Sequence, residues 1–202
     1  MRRFAIVGQR AHASQESLLG DIPGTTGRLD VLLRCLRAAL LVSHGVRRDT
    51  VAYLVLLGDP GAPRTIRVDG ASARYLRPDE RSLAVLVRKV IVSAGVGSRL
   101  DGFVEVRPGV AVAAGGVETV LLDAGNTPVF MLDEVAADVR RVEIPVDDVV
   151  FFVGDHLGFD AATRATLAAA GATAVSVGPT SVHAEDAVTL VTNECDRRTR
   201  PK

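Results

Sequence analysis

Residues 149 to 178 constrain the fold most. Two apolar runs, Val149 to Val153 and Thr173 to Val177, each pass straight into a glycine-bearing turn, Gly154-Asp155-His156 and Gly178-Pro179-Thr180-Ser181. Runs this apolar predict strands buried in a parallel sheet. Between them, Asp160 to Ala170 is mostly alanine with Leu167, a helical composition that Gly171 closes as a C-cap. The stretch is therefore a βαβ unit. In open parallel sheets a ligand sits beyond the carboxyl ends of the strands, where backbone groups are unpaired and glycine permits close approach. Both glycine turns are candidate ligand rims.

The rest of the chain supplies more strands and helices around that unit. Phe4 to Val7 reads as a short strand, and Gln9 to Gly27, rich in Gly, Ser, Thr and Pro, as a long functional loop. Leu29, Leu32, Leu33, Leu36, Leu40 and Leu41 recur at helical spacing, predicting a helix from Leu29 to Val42 that His44-Gly45 ends. Val51 to Leu57 and Thr65 to Val68 read as strands. Pro78-Asp79-Glu80-Arg81 opens a helix to about Val92 with Asp79 as N-cap. Ser93 to Gly102 reads as a connector, Val104 to Ala113 as a hairpin turning at Pro108-Gly109, and Gly116 to Leu122 is ambiguous. Val129 to Leu132 is a further strand, followed by a polar linker to Pro145, and the last helix runs from about Ala184 to Asp196.

With 202 residues, the chain suits one domain with a substantial core. Aromatics are 4% of residues and Trp is absent, so Val, Leu and Ala have to build that core. Only Lys89 and Lys202 among 24 basic residues are lysine. An arginine-dominated surface suits bidentate phosphate recognition, and it follows equally from a GC-rich coding sequence. Zero formal charge singles out no nucleic-acid partner. Cys35 and Cys195 are too few for a disulfide scaffold or a metal cluster and read as small hydrophobes in helices. No metal is expected. The first residues enter a strand without a signal-peptide core, and no apolar run reaches membrane-spanning length, so a soluble, cytoplasmic protein away from membranes is expected.

Familiar catalytic signatures are missing. Gly95-Val96-Gly97 lacks the third glycine of a dinucleotide fingerprint, and there is no Walker loop, no serine elbow and no zincin spacing among histidines 12, 44, 156 and 183.

Five blocks, however, resemble a known family: Pro23 to Cys35 (PGTTGRLDVLLRC), Leu41 to Asp49 (LVSHGVRRD), Pro78 to Ser82 (PDERS), Phe152 to His156 (FVGDH), and Val177-Gly178-Pro179 with His183-Ala184. In this order they are similar to the TrmY family, the mainly archaeal tRNA pseudouridine-54 N1-methyltransferases. The resemblance covers most of the chain except Ser93 to Asn126. It implies one SPOUT methyltransferase domain over 1–202, with a variable 93–126 insert. It further implies an α/β fold with a mostly parallel sheet and a C-terminal trefoil knot, S-adenosylmethionine as methyl donor, tRNA as partner and a homodimer. A knot is nearly excluded as a prior and enters only through the resemblance.

Carried over by position, the cofactor pocket falls on Leu132, Gly154, Ser176, Val177, Gly178, Pro179, Thr180, Ser181 and Ala187, where the archaeal pattern commonly has cysteine at the last. These are the two rims already found, and an adenine edge is suited to small residues and backbone groups. His183 is expected to support the pocket. Methylating N1 of a pseudouridine requires loss of the N1 proton and support for a uracil anion. Asp30 or Asp79 is the candidate proton acceptor and Arg28 the anion stabiliser. Asp30 suits a helix N-terminus, whereas Arg28 opposes the dipole there and wants another reason, such as an RNA phosphate. Arg28, Arg47, Arg48 and Arg81 are the candidate RNA contacts. Two alternatives stand beside this reading: methylation of a ribosomal-RNA pseudouridine, and a non-catalytic RNA-binding or nucleotide-binding module that has lost turnover.

Overall fold

The computed structural model describes residues 1–12, 20–59, 61, 63–95, 102–145 and 147–199. Thus 13–19 of the expected long loop and 96–101 of the expected connector lie outside the described residues, as do Pro60 and Lys202.

In chain order the elements are β1 (Arg2–Gly8), α1 (Ile22–Thr25), α2 (Leu29–Leu40), β2 (Leu41–Val42), β3 (Gly45–Val46), β4 (Thr50–Leu56), β5 (Arg64–Asp69) and α3 (Glu80–Ala94). They continue with β6 (Val104–Arg107), β7 (Val110–Ala114), α4 (Val117–Ala124), β8 (Val129–Asp138), a 3-10 turn (Val139–Arg141), β9 (Val149–Gly154), α5 (Ala161–Ala169), β10 (Thr173–Ser176) and α6 (Ala184–Thr199). Eight strands form one sheet in the order β10-β8-β9-β1-β4-β5-β7-β6. From β10 to β4 every pairing is parallel, and from β4 to β6 every pairing is antiparallel.

Period-two alternation sorts the central side chains between two layers. On one face Phe4, Ile6, Leu54, Phe151 and Val153 pack under α2, α3 and α6. On the other Ala5, Val7, Val55, Val150 and Phe152 pack under α4 and α5. Both faces of β1, β4 and β9 are covered, which is why those strands are almost wholly apolar. The Asp79 and Asp160 carboxylates cap α3 and α5, accepting from Ser82 N and Thr163 N at 2.8 and 2.7 Å.

Two expectations change. Helix α2 ends at Leu40, where Leu41 turns extended, and His44-Gly45 lies in the small antiparallel ribbon β2-β3. The expected linker after Leu132 is largely strand: β8 runs to Asp138 because Ala137 and Asp138 pair with Val175 and Ser176 of β10. Between Met131 and Ala137 the register jumps, so 132–136 loop out of the ladder. The hairpin β6-β7 extends the sheet edge and α4 covers the second layer. Helix α6 turns Ala187, Val188, Val191 and Cys195 inward and leaves Leu190 43% exposed.

Candidate functional site

A cavity of about 880 Å³ opens at the carboxyl ends of β9 and β10 and beside the middle of β8, against the starts of α2 and α6. That volume lies within the range of small-molecule sites. Sequence reasoning expected nine cofactor contacts; Leu132, Gly154, Ser176, Val177, Gly178, Thr180, Ser181 and Ala187 line this cavity, and Pro179 does not. The looped-out stretch of β8 delivers Leu132, Asp133 and Glu134 to its wall.

Local chemistry shapes the rims. Ser176 Oγ donates to Gly178 O at 2.8 Å and accepts from Gly178 N at 3.2 Å, folding the β10 turn back on itself. A Cβ built on Gly178 would meet no protein atom within 4 Å, so the bare glycine leaves open space at the rim. Backbone N–H groups of Thr180 and Ser181 have no acceptor among the described residues. Small walls, open space and unspent donors fit the edge of an adenosine-sized ligand.

Asp155, absent from the sequence-derived candidates, organises the β9 rim. Its buried carboxylate accepts from Gln9 N at 2.9 Å and Leu157 N at 2.8 Å, tying the loop after β1 to the turn. An Asp directly after the turn glycine was the available signal, since Asx side chains commonly bond backbone two residues on.

Arg28 and Asp30 meet at the cavity mouth. Arg28 has left-handed backbone, φ 69°, at the α2 N-cap and makes no capping bond. Its Nε and Nη2 donate to the two Asp30 oxygens at 2.9 and 3.0 Å. Arg28 thus has a counter-charge within the chain, Asp30, two residues on. Arg34 donates to Asp30 Oδ2 at 2.9 Å and to Glu185 Oε1 at 2.8 Å, bridging α2 to α6, and lies 3.5 Å from Glu80 on α3. Burial pushes the 2% exposed Asp30 carboxyl up, and the hydrogen bonds from Arg28 and Arg34 outweigh it, holding it below the ordinary aspartate range. Arg28 and Arg34 line the cavity; Asp30 lies behind them.

Other candidates fall elsewhere. Asp79 is exposed, spends its carboxylate on Ser82 N and is not in the cavity wall. Arg47 donates to Asp196 at 3.1 and 2.7 Å, alongside Arg2 at 3.1 Å, and so ties the segment after β3 to α6 while staying partly exposed. Arg48 is exposed and donates to Ala71 O, and Arg81 is exposed without a carboxylate partner among the described residues. His183 lines the cavity, and its carbonyl accepts from Asp186 N and Ala187 N to start α6. Both cysteines are buried, and among the described residues no metal-binding group of side chains and no membrane-length apolar helix occurs.

A family model described as "Putative SAM-dependent RNA methyltransferase" matches residues 1–200. The chain is 39% identical over 197 residues to a tRNA (pseudouridine(54)-N(1))-methyltransferase of Methanosarcina acetivorans, covering 98% of this chain and 92% of that one. It is 40% identical over 198 residues to the Halobacterium salinarum protein of the same name, covering 97% and 96%. Its fold is similar to Archaeoglobus fulgidus Nep1 bound to S-adenosylhomocysteine, with a TM-score of 0.65, 16% identity and 98% of each chain covered.

Proposed function

The chain belongs to the SAM-dependent RNA methyltransferase family, and from that premise we propose that it methylates N1 of a pseudouridine in tRNA, at position 54. The observation that carries this reading is the full-length match to relatives of that name, on a chain whose cavity lies at the expected strand ends.

The cavity residues fit the cofactor: a rim of Gly178, Thr180 and Ser181 with open space and free donors, Leu132 and Ala187 as apolar walls, and Val177 and Gly154 at the strand ends. When bound, S-adenosylmethionine supplies a methyl group already activated on a sulfonium. The chain's own work is then positioning and charge. Arg28, 42% exposed and lining the mouth, offers a guanidinium to the uracil anion that loss of the N1 proton creates. We give Asp30 the task of aiming Arg28 and Arg34, because both its oxygens are spent on them and its carboxyl is held in the ionised form. The N1 proton passes to water in the open mouth. Asp79 has no part in this scheme.

We assign to the chain one SPOUT domain over 1–202 and a C-terminal trefoil knot. Arg198 on α6 donates to Val142 O and Val139 O, so α6 lies against the connection between β8 and β9. A homodimer working in the cytoplasm completes the reading. Deleting the gene should remove N1-methylpseudouridine from tRNA digests read by mass spectrometry. Persistence of the nucleoside at full level would set this function aside.

A further inference from the structure

Two groups of arginines differ in their partners among the described residues. Arg2, Arg28, Arg34 and Arg47 face carboxylates at 3.1 Å or less. Arg48, Arg74, Arg77, Arg81 and Arg107 face none among the described residues. The second set lies along the loop between β5 and α3 and beside it, where Arg48 donates to Ala71 O and Arg107 to Arg74 O at 3.4 Å.

Tyr75 stands in the middle of that set. It is 88% exposed, with left-handed backbone at φ 59°, and its ring makes no hydrogen bond or ring contact among the described residues. Holding a bulky residue in this conformation costs roughly 1–2 kcal/mol, and no intramolecular contact offsets it. Beside the ring is a groove of about 850 Å³ walled by Arg48, Arg74, Val46 and Pro108. Two nearby carboxylates accept hydrogen bonds within their own turns: Asp69 from Ala71 N and the Ser72 hydroxyl, and the exposed Glu105 from Gly109 N. Arg48 and Arg74 on the groove wall are exposed.

It also leads to the cavity. From Tyr75 to Glu80 five residues reach at most about 18 Å. Glu80 lies 3.5 Å from Arg34, which lines the cavity mouth, and Arg77 falls along the way, with Arg81 just past Glu80.

We propose that this groove is a second RNA contact, separate from the methyl-acceptor cavity: Tyr75 stacks on an unpaired base while Arg48, Arg74 and Arg107 hold the flanking phosphates. An exposed ring among cations without counter-ions matches how single-stranded segments are held, by base stacking and backbone charge together. The inference rests on RNA being the substrate.

The test replaces Tyr75 by asparagine, which tolerates left-handed backbone, and by phenylalanine, which keeps the ring. Filter binding of tRNA, calorimetry with S-adenosylmethionine and light scattering are run on the whole protein. Tyr75→Asn should raise the tRNA Kd and KM about tenfold. Cofactor affinity, kcat at saturating tRNA and particle mass should stay at parental values, and Tyr75→Phe should bind like the parent. Replacing Arg74 and Arg107 together by glutamine should flatten the salt dependence of tRNA binding by roughly one unit of slope per lost phosphate contact. Unchanged tRNA affinity in Tyr75→Asn would overturn the proposal, as would a change in particle mass, which would make the groove a contact between copies. The binding arms do not depend on turnover, so failure of the parent to methylate would overturn the functional reading alone.

Discussion

Gly154 and Gly158 lie against each other: a Cβ on Gly154 would come within 2.7 Å of Gly158 Cα and 2.8 Å of its carbonyl carbon. The obstacle is backbone, held by the Asp155–Gly158 bridge and the Gly158 N–H donating to Asp155 O at 2.9 Å. Glycine at 154 is therefore demanded by closure of the turn, before any ligand arrives. Gly154→Ala should cost about 1–3 kcal/mol, read as a lower urea midpoint. Gly158→Ala meets no atom but sits at φ 71° and should cost about 1 kcal/mol. Equal stability of Gly154→Ala and the parent would show that the turn has slack.

A cleaner probe of the cofactor pocket is Ala187, which lines the cavity from the first turns of α6. Ala187→Leu should fill the space a ligand needs and weaken S-adenosylmethionine binding at least about tenfold by calorimetry, since the added carbons displace ligand contacts. Thermal unfolding should show the fold intact. Parental affinity in a folded Ala187→Leu protein would move the pocket away from α6.

Asp30 links stability to pH. Its carboxyl is lowered in the folded protein, so its contribution is fully present above the ordinary aspartate range and is lost as pH falls through the folded value. Asp30→Asn should lose about 2 kcal/mol at neutral pH by urea titration, from broken charge-assisted hydrogen bonds. The gap from the parent should narrow below about pH 4. A gap that stays constant into acid would mean that the carboxylate is not what holds Arg28 and Arg34.

Arg47 and Asp196 predict a mechanical effect. Arg47→Ala frees one end of the clamp on α6 and leaves Asp196 with Arg2 alone. Stability should fall by about 1 kcal/mol while the salt slope of tRNA binding stays parental. A flattened slope with unchanged stability would return Arg47 to the RNA surface.

These contrasts track what was legible in the sequence. The β9-α5-β10 unit and the cap at Asp79 were readable because their signals are local: apolar runs, an alanine-rich helix, an acidic residue before a helix. The strand character of Ala137 and Asp138 was not, because it comes from pairing with β10, far along the chain. Arg47 looked free for the same reason, since its partner is 149 residues away. Arg28 looked unpaired although Asp30 is two residues on, because left-handed backbone at Arg28 is what brings them together. The rims were visible as glycine turns, whereas the looped-out wall at Leu132 came through family resemblance alone.

The central claim is tested most directly by incubating the purified protein and S-adenosylmethionine with two tRNAs differing at one base, pseudouridine or uridine at position 54, and analysing nucleosides by mass spectrometry. The account predicts N1-methylpseudouridine from the first and no methylated base from the second, because only pseudouridine offers an N1–H. Equal methylation of both tRNAs, or of neither while the protein binds cofactor and tRNA, would contradict it.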